Sequence, residues 1–177
     1  SHVSKPLGVL IRDMNKYSLN LMARNLILTV VTEDLKIQAT ENDVNEYILN
    51  RLKSLGIDTG NIFIENGAGL SRNTSINTLS LMKIMDKIYE HPYMPEILSS
   101  FPILYEDGTL EKKMPFSKVK KNGHFKTGSL KNVSAIAGYL VDKKKDKKLF
   151  VFIMNDKAAN KSYDFQNDLI NLAFESI

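Results

Sequence analysis

Three runs of strand-forming residues and a closing helix, all in the last third of the chain, constrain the fold most. Val133–Val141 is an almost continuous apolar run, and a second apolar run covers residues 149–154. A shorter strand is predicted around His124, and a helix is predicted over about residues 163–174. Consecutive strands with short connections form an antiparallel meander, and an amphipathic helix can cover one of its faces.

The first two thirds of the chain are predicted to be mainly helical. Apolar residues recur at helical spacing after Pro6, and this helix should end near Tyr17. Ser18 can cap a second helix, and Gly56 should end a third, over residues 43–55. A short strand over residues 61–65 and a helix over about 77–90 follow. Helices followed by consecutive strands predict an α+β domain, with an antiparallel sheet and flanking helices.

Composition excludes several kinds of chemistry. The chain has 177 residues, 43% of them hydrophobic, which suffices for one domain, although two small lobes are also compatible with this length. It has no cysteine, so disulfides, thiolate catalysis and cysteine-bound zinc are excluded. The three histidines are far apart in sequence, and we predict neither a metal site nor a cofactor.

The net charge of +4 comes largely from the lysine-rich run 143–148. No aromatic or arginine residue is interleaved with these lysines, so the pattern favours a solvated turn between strands over a nucleic-acid patch. We therefore expect no nucleic-acid partner.

Lys126, Thr127 and Gly128 lie in sequence on the first predicted strand. Side chains alternate on a strand, so Lys126 and Gly128 should point to one face and Thr127 to the other. An ammonium, a hydroxyl and a glycine that leaves the backbone accessible can hold an anion such as a carboxylate. The triplet alone is weak evidence, because so short a pattern recurs by chance.

Several serines compete for a chemical role. Ser18 and Asn20 could project together from a helix start toward a cleft, but a capping serine beside a solvent-facing asparagine is the simpler interpretation. Two Ser-x-x-Lys strings begin at Ser80 and Ser117. Ser80 is predicted to lie within a helix and Ser117 in a loop, and neither context exposes a nucleophile.

Four motifs together resemble class C penicillin-binding proteins, the D-alanyl-D-alanine carboxypeptidases and endopeptidases of peptidoglycan maturation. The motifs occur in that family's order and spacing, and they are Ser18-Leu19-Asn20, residues 66–72 (Asn-Gly-Ala-Gly-Leu-Ser-Arg), residues 106–110 (Glu-Asp-Gly-Thr-Leu) and residues 126–130 (Lys-Thr-Gly-Ser-Leu). The resemblance extends from about Pro6 into the last helix. It implies the fold of β-lactamases and DD-peptidases.

The resemblance also implies that residues 1–177 are a single C-terminal fragment of such a domain. The family's Ser-x-x-Lys nucleophile motif precedes Ser-x-Asn, so we expect an N-terminal part to supply it, together with further strands. Residues 1–2 are interpreted as a cloning scar. The implied partners are peptidoglycan stem peptides, β-lactam antibiotics and the missing N-terminal part, with self-association through an unpaired strand edge. The implied location is the periplasm or cell envelope.

The resemblance assigns roles to six residues. The catalytic group is Ser18, Asn20 and Lys126: the serine relays a proton, the asparagine bonds the general-base lysine and the substrate amide, and Lys126 adds positive potential. The substrate-binding group is Thr127, Gly128 and Ser129. Here the threonine donates to a substrate carboxylate, the glycine leaves the strand open, and the Ser129 backbone N–H forms half of an oxyanion hole.

Three departures from the family pattern leave other functions open. Leu19, Asn66 and Ala68 stand where the family has aspartate, aspartate and serine. A β-lactamase or esterase on the same scaffold would share the strand motif. A non-catalytic cell-wall recognition module would retain only the carboxylate-binding strand.

Overall fold

The computed structural model describes residues 3–114 and 118–175. The α-helices, in chain order, are α1 (Leu7–Tyr17), α2 (Asn20–Leu35), α3 (Glu41–Ser54), α4 (Thr78–Tyr89), α5 (Met94–Ser100) and α6 (Tyr163–Glu175). The β-strands are β1 (Gly123–Leu130), β2 (Val133–Val141) and β3 (Lys147–Asn155). The predicted α+β class and the three-stranded meander with its closing helix are confirmed. None of the described helices has the length and apolar character needed to cross a membrane.

The chain divides into two compact units. The first unit contains the residues up to Ser18 and those from Tyr89 onward, and the second contains Leu19–Ile88. The first unit is therefore discontinuous in sequence. The boundary falls inside the Ser18-Leu19-Asn20 motif. The assignment of residues 1–177 to one fragment of a larger domain stays a prediction.

The sheet of the first unit has the order β1-β2-β3, and both pairs are antiparallel. Side chains from β1 and β2 form the main core together with α6 and with four residues before β1, which are Leu104, Leu110, Met114 and Val119. Phe125 of β1 is completely buried in this core and packs edge-on against Phe150 of β3. Ile170 and Phe174 of α6 complete it. The alternation of β1 thereby places Phe125, Thr127 and Ser129 on one face and Lys126 and Gly128 on the other.

The outer edge of β1 is paired only at its start. Leu104 N donates to Gly123 O and Phe125 N donates to Pro102 O, both at 2.9 Å. Backbone groups of alternate residues point to the same side of a strand, so the N–H groups of Thr127 and Ser129 also point away from β2. Beyond Phe125, no segment in the described part of the chain pairs with this edge.

The second unit is built on α3 and its surroundings. Thr40 and Asp43 form a reciprocal capping box, which explains why α3 begins at Glu41, before the predicted start at residue 43. Leu52, Ile57 and Ile62 form the centre of its core. The predicted strand over residues 61–65 is wrong, because this segment makes only one isolated bridge, between Phe63 and Ser75.

The lysine-rich run is a turn only in part. Residues 142–146 connect β2 to β3, as predicted, but Lys147 and Lys148 belong to β3. Lys148 forms an ion pair of 2.9 Å with Asp142, which is 3% exposed. The Asp142 carboxylate also accepts the backbone N–H groups of Lys144 and Asp146, so it organises the turn. These bonds, led by that from Lys148, hold the pKa of Asp142 below its ordinary value.

Candidate functional site

Ser18 and Lys126 meet in the first unit although 108 residues separate them in sequence. The Lys126 ammonium donates to the Ser18 hydroxyl and to the Thr127 carbonyl oxygen, each at 2.8 Å. The structure therefore brings together two of the three predicted catalytic side chains. Their separation in sequence means that no local pattern could have predicted the contact.

Ser18 adopts a strained backbone conformation. It is the residue that ends α1, with φ 55° and ψ 51°, and its N–H donates to Met14 O. The prediction that Ser18 caps α2 is wrong: Leu19 is the N-cap residue and makes no side-chain cap bond. A left-handed conformation costs a non-glycine residue about 1 kcal/mol or more and persists only where surrounding contacts impose it. The Ser18 hydroxyl is consequently free to meet Lys126.

Asn20 begins α2 in the second unit. Its side-chain N–H donates to Ala68 O at 2.6 Å, and Ala68 N in turn donates to the Asn66 side chain at 3.1 Å. The glycine-rich turn therefore holds the Asn20 amide in a fixed orientation. Asn66, which is one of the departures from the family pattern, thus stabilises this turn by accepting the Ala68 N–H. Ser71 instead accepts the N–H of Asn73 within the following loop.

The predicted substrate-binding residues occupy the uncovered part of β1. The hydroxyls of Thr127 and Thr109 lie 3.2 Å apart. Gly128 is exposed, and a Cβ placed on it would meet only the Cβ of Ala135, at an ordinary 3.6 Å. Packing among the described residues thus does not require glycine at position 128. Access of a ligand to the strand backbone would explain why a glycine is present.

Two residues that the sequence analysis missed lie beside Ser129. The Ser129 and Tyr163 hydroxyls are 3.2 Å apart, and the Lys113 ammonium donates to the same Tyr163 oxygen at 3.3 Å. The Lys113 ammonium also lies 4.9 Å from the centre of the Tyr163 ring. The bond with Ser129, together with the bond and charge of Lys113, lowers the pKa of Tyr163. No sequence signal distinguishes Lys113 from the other surface lysines.

The electrostatics of the site favour an anion. Burial, and secondarily the charge of Lys113, lowers the pKa of Lys126. Neither Lys126 nor Lys113 has a carboxylate partner among the described residues, whereas Lys16 is paired with Asp107. A bound carboxylate would raise the pKa of Lys126, because an opposite charge favours the ammonium form. Lys126, the Thr127 hydroxyl and the outward N–H of Ser129 can together hold a carboxylate and stabilise a developing oxyanion.

Of the two Ser-x-x-Lys serines, Ser80 lies within a helix, as predicted. Ser80 is buried in the first turn of α4, where its N–H bonds the side chain of Asn77. Ser117 lies outside the described residues. Across residues 3–114 and 118–175, no cluster of three potential metal-binding side chains occurs.

A family model for the D-Ala-D-Ala carboxypeptidase 3 (S13) family matches residues 1–174. The chain belongs to this family. The resemblance inferred from four motifs is thereby confirmed. It extends over nearly the whole chain, including the segments between the motifs.

Relatives and solved structures agree with this assignment. The chain is 30% identical over 156 residues to the D-alanyl-D-alanine carboxypeptidase DacB of Haemophilus influenzae, covering 87% of this chain and 33% of that protein. It is 28% identical over 159 residues to the carboxypeptidase DacB of Mycolicibacterium smegmatis, covering 86% and 34%. The crystal structure of penicillin-binding protein 4 from Haemophilus influenzae, in complex with a β-lactam, superimposes with a TM-score of 0.85 at 28% identity, covering 98% of this chain and 42% of that one.

This S13 chain therefore spans about one third of the length of the curated relatives it matches. Its fold is that of the DD-peptidases, as the superposition demonstrates. The Ser-x-Asn and Lys-Thr-Gly motifs lie within the matched region, and the structure brings Ser18 and Lys126 into contact.

Proposed function

We propose that this chain is the carboxylate-binding part of a serine-type D-alanyl-D-alanine carboxypeptidase or endopeptidase, and that it is inactive by itself. The observation that carries the proposal is the 2.8 Å bond between the Lys126 ammonium and the Ser18 hydroxyl. Family membership and the names of the relatives support it. The substrate would be a peptidoglycan stem peptide, and β-lactams would acylate the same site. The enzyme would work in the cell envelope, on its periplasmic side.

The proposed reaction is acyl transfer through a serine ester, followed by hydrolysis. Segments of the relatives that this chain does not match would supply the nucleophile and its lysine. Ser18 relays a proton toward the leaving amine, and Lys126 holds the substrate carboxylate near Thr127. Asn20 bonds the general-base lysine and the substrate amide.

The part of the β1 edge that no described segment pairs with is suited to stabilising the oxyanion of the reaction. The Ser129 N–H points away from β2, where it can donate to the oxyanion of the tetrahedral intermediate. Such a donor contributes about 3 kcal/mol when the oxyanion hole is complete. The nucleophile's own N–H would be its partner, so this chain alone supplies half of the hole.

Fluorescent penicillin tests the proposal. We expect the full-length enzyme that contains this chain to be labelled, and the isolated chain to remain unlabelled. Lys126→Ala should slow acylation of the full-length enzyme by about 100-fold. Lys157→Ala is the matched control, because Lys157 is exposed and lies outside the site. Unchanged acylation in Lys126→Ala would disprove the carboxylate role.

The products separate the related functions. Release of D-alanine from a pentapeptide supports a carboxypeptidase, and cleavage of a cross-linked dimer supports an endopeptidase. Turnover of the penicillin without either product would instead identify a β-lactamase or esterase. Absence of labelling in the full-length enzyme would favour a non-catalytic cell-wall recognition module.

The outer edge of β3 is the proposed contact for the rest of the enzyme. β3 has nine residues, and within the described ranges only β2 pairs with it. A long unpaired edge can pair with another strand, so a second copy should occupy it when the chain is alone. Light scattering over a range of concentrations should show a dimer, and a monomer at every concentration would contradict this.

A further inference from the structure

The turn 107–109 (Asp-Gly-Thr) contacts both halves of the proposed site. It follows α5 in the first unit, and its backbone forms a single 3₁₀ turn over Gly108–Leu110.

Asp107 holds the end of α1 through Lys16. The Lys16 side chain is buried, and its ammonium donates to the Asp107 carboxylate and to Phe101 O, each at 2.6 Å. The other Asp107 oxygen accepts the Ile103 N–H at 2.7 Å, which fixes the carboxylate in the turn. Ser100, the residue directly before Phe101, accepts a hydrogen bond of 2.7 Å from the Asn15 side chain. The last turn of α1, just before Ser18, is therefore tied to this segment at several points.

Gly108 lies directly against the backbone of the same helix end. A Cβ on Gly108 would be 2.5 Å from the Lys16 carbonyl oxygen, which is closer than real Cβ atoms approach. Gly108 also has φ 58°, a conformation that glycine adopts without strain. Both facts require glycine here, because the turn must approach α1 closely.

Thr109 reaches the other half of the site. Its hydroxyl lies 3.2 Å from that of Thr127, the residue after Lys126 on β1. Three consecutive residues thus contact, in order, the Lys16 side chain, the Lys16 backbone and β1. The left-handed backbone of Ser18 persists only where neighbouring contacts impose it. The contacts of the turn 107–109 with Lys16 and Thr127 lie next to Ser18 and Lys126.

We propose that the turn 107–109 is a clamp that positions the Ser18 hydroxyl against the Lys126 ammonium. The clamp sets the distance between Ser18 and Lys126 by holding α1 on one side and β1 on the other. Asp107, Gly108 and Thr109 are accordingly positioning residues that act through Lys16 and Thr127. Their value for catalysis rests on the function proposed above, but the contact they control can be measured without any reaction.

The test uses the 177-residue chain with ¹³Cε-labelled lysine, observed by NMR. The Lys126 signal is assigned because it disappears in Lys126→Arg. Its chemical shift in Ser18→Ala gives the reference value for a chain without the Ser18–Lys126 hydrogen bond. We expect Gly108→Ala and Thr109→Val to move the Lys126 signal toward its position in Ser18→Ala. When Ser18→Ala is combined with Gly108→Ala or with Thr109→Val, it should shift the Lys126 signal much less than it does in the unmodified chain. Thr109→Ser, which keeps the hydroxyl, should restore the original signal.

Gly56→Ala is the matched control for Gly108→Ala. Gly56 also has a positive φ, of 75°, but a Cβ there would meet no atom within 4 Å. The Gly56→Ala substitution should therefore lower thermal stability through backbone strain and leave the Lys126 signal unchanged. If Gly108→Ala does not fold, Thr109→Val decides the matter. A folded clamp variant that keeps the original Lys126 signal and its full response to Ser18→Ala would overturn the proposal.

Discussion

One lysine at the end of α1 and another in the middle of β1 are both shielded from water, but their ammonium groups have different hydrogen-bond partners. Lys16 bonds a carboxylate and a carbonyl oxygen, both at 2.6 Å, and is 8% exposed. Lys126 bonds one hydroxyl and one carbonyl oxygen and has no carboxylate partner among the described residues. A lysine with its own carboxylate stabilises the fold, whereas a lysine without one keeps its positive potential for a ligand. The same residue type therefore has a structural role in one region and a proposed binding role in the other.

The largest expected difference is in stability after Lys16→Met. This substitution removes the cation from the Asp107 carboxylate, which is 38% exposed, and it leaves the Phe101 carbonyl oxygen without its donor. Loss of these charge-assisted bonds should cost about 2 kcal/mol. Urea denaturation of the folded chain measures the loss. Lys121→Met is the control, because the Lys121–Glu106 pair is exposed and should contribute less than about 1 kcal/mol. Equal losses in the two variants would contradict the structural role of Lys16.

Lys126→Met should change the free energy of unfolding much less, by under about 1 kcal/mol. The lost hydrogen bonds are offset because a charge no longer has to be removed from water. The same denaturation experiment, performed beside Lys16→Met, makes the comparison direct. A loss as large as that of Lys16→Met would show that Lys126 is chiefly structural.

The smallest expected effect is a change in the free energy of unfolding at alkaline pH. Burial lowers the folded-state pKa of Lys126 below its ordinary 10.5, so the folded chain loses this proton before the unfolded chain does. Stability contributed by this group is therefore lowest below the folded pKa and rises as the pH increases toward 10.5.

The difference in unfolding free energy between the unmodified chain and Lys126→Met isolates that contribution. Tyr163, whose lowered pKa gives a change of the same sign, is retained in both proteins and largely cancels. We expect the difference to increase as the pH rises toward 10.5, the ordinary pKa of lysine. A difference that is flat, or that decreases, would mean that folding does not lower the pKa of Lys126.

The sheet could be predicted because its signals are local. Val133–Val141 is almost continuously apolar and was predicted with the observed bounds. The alternation rule also gave the correct faces on β1, where Lys126 meets Ser18 and Thr127 meets Thr109. The segment 61–65 was assigned wrongly because a short apolar run does not reveal whether a partner strand exists.

The site could be predicted only through the family resemblance. Spacing alone does not connect Ser18 with Lys126, and propensity favoured Ser18 as a helix cap, whereas tertiary contacts impose its left-handed backbone. Lys16 and Lys113 were missed because their roles depend on partners about 90 and 50 residues away. Whether the six predicted site residues perform the proposed chemistry stays a prediction.

The discontinuity of the first unit has a consequence for the order of folding. During synthesis Lys16 leaves the ribosome 91 residues before Asp107, with the entire second unit between them. The second unit is continuous and can form its core from its own residues as they emerge. α1, in contrast, must wait for its partners, and such distant contacts form slowly. Assembly of the Ser18–Lys126 pair therefore follows synthesis of the whole second unit.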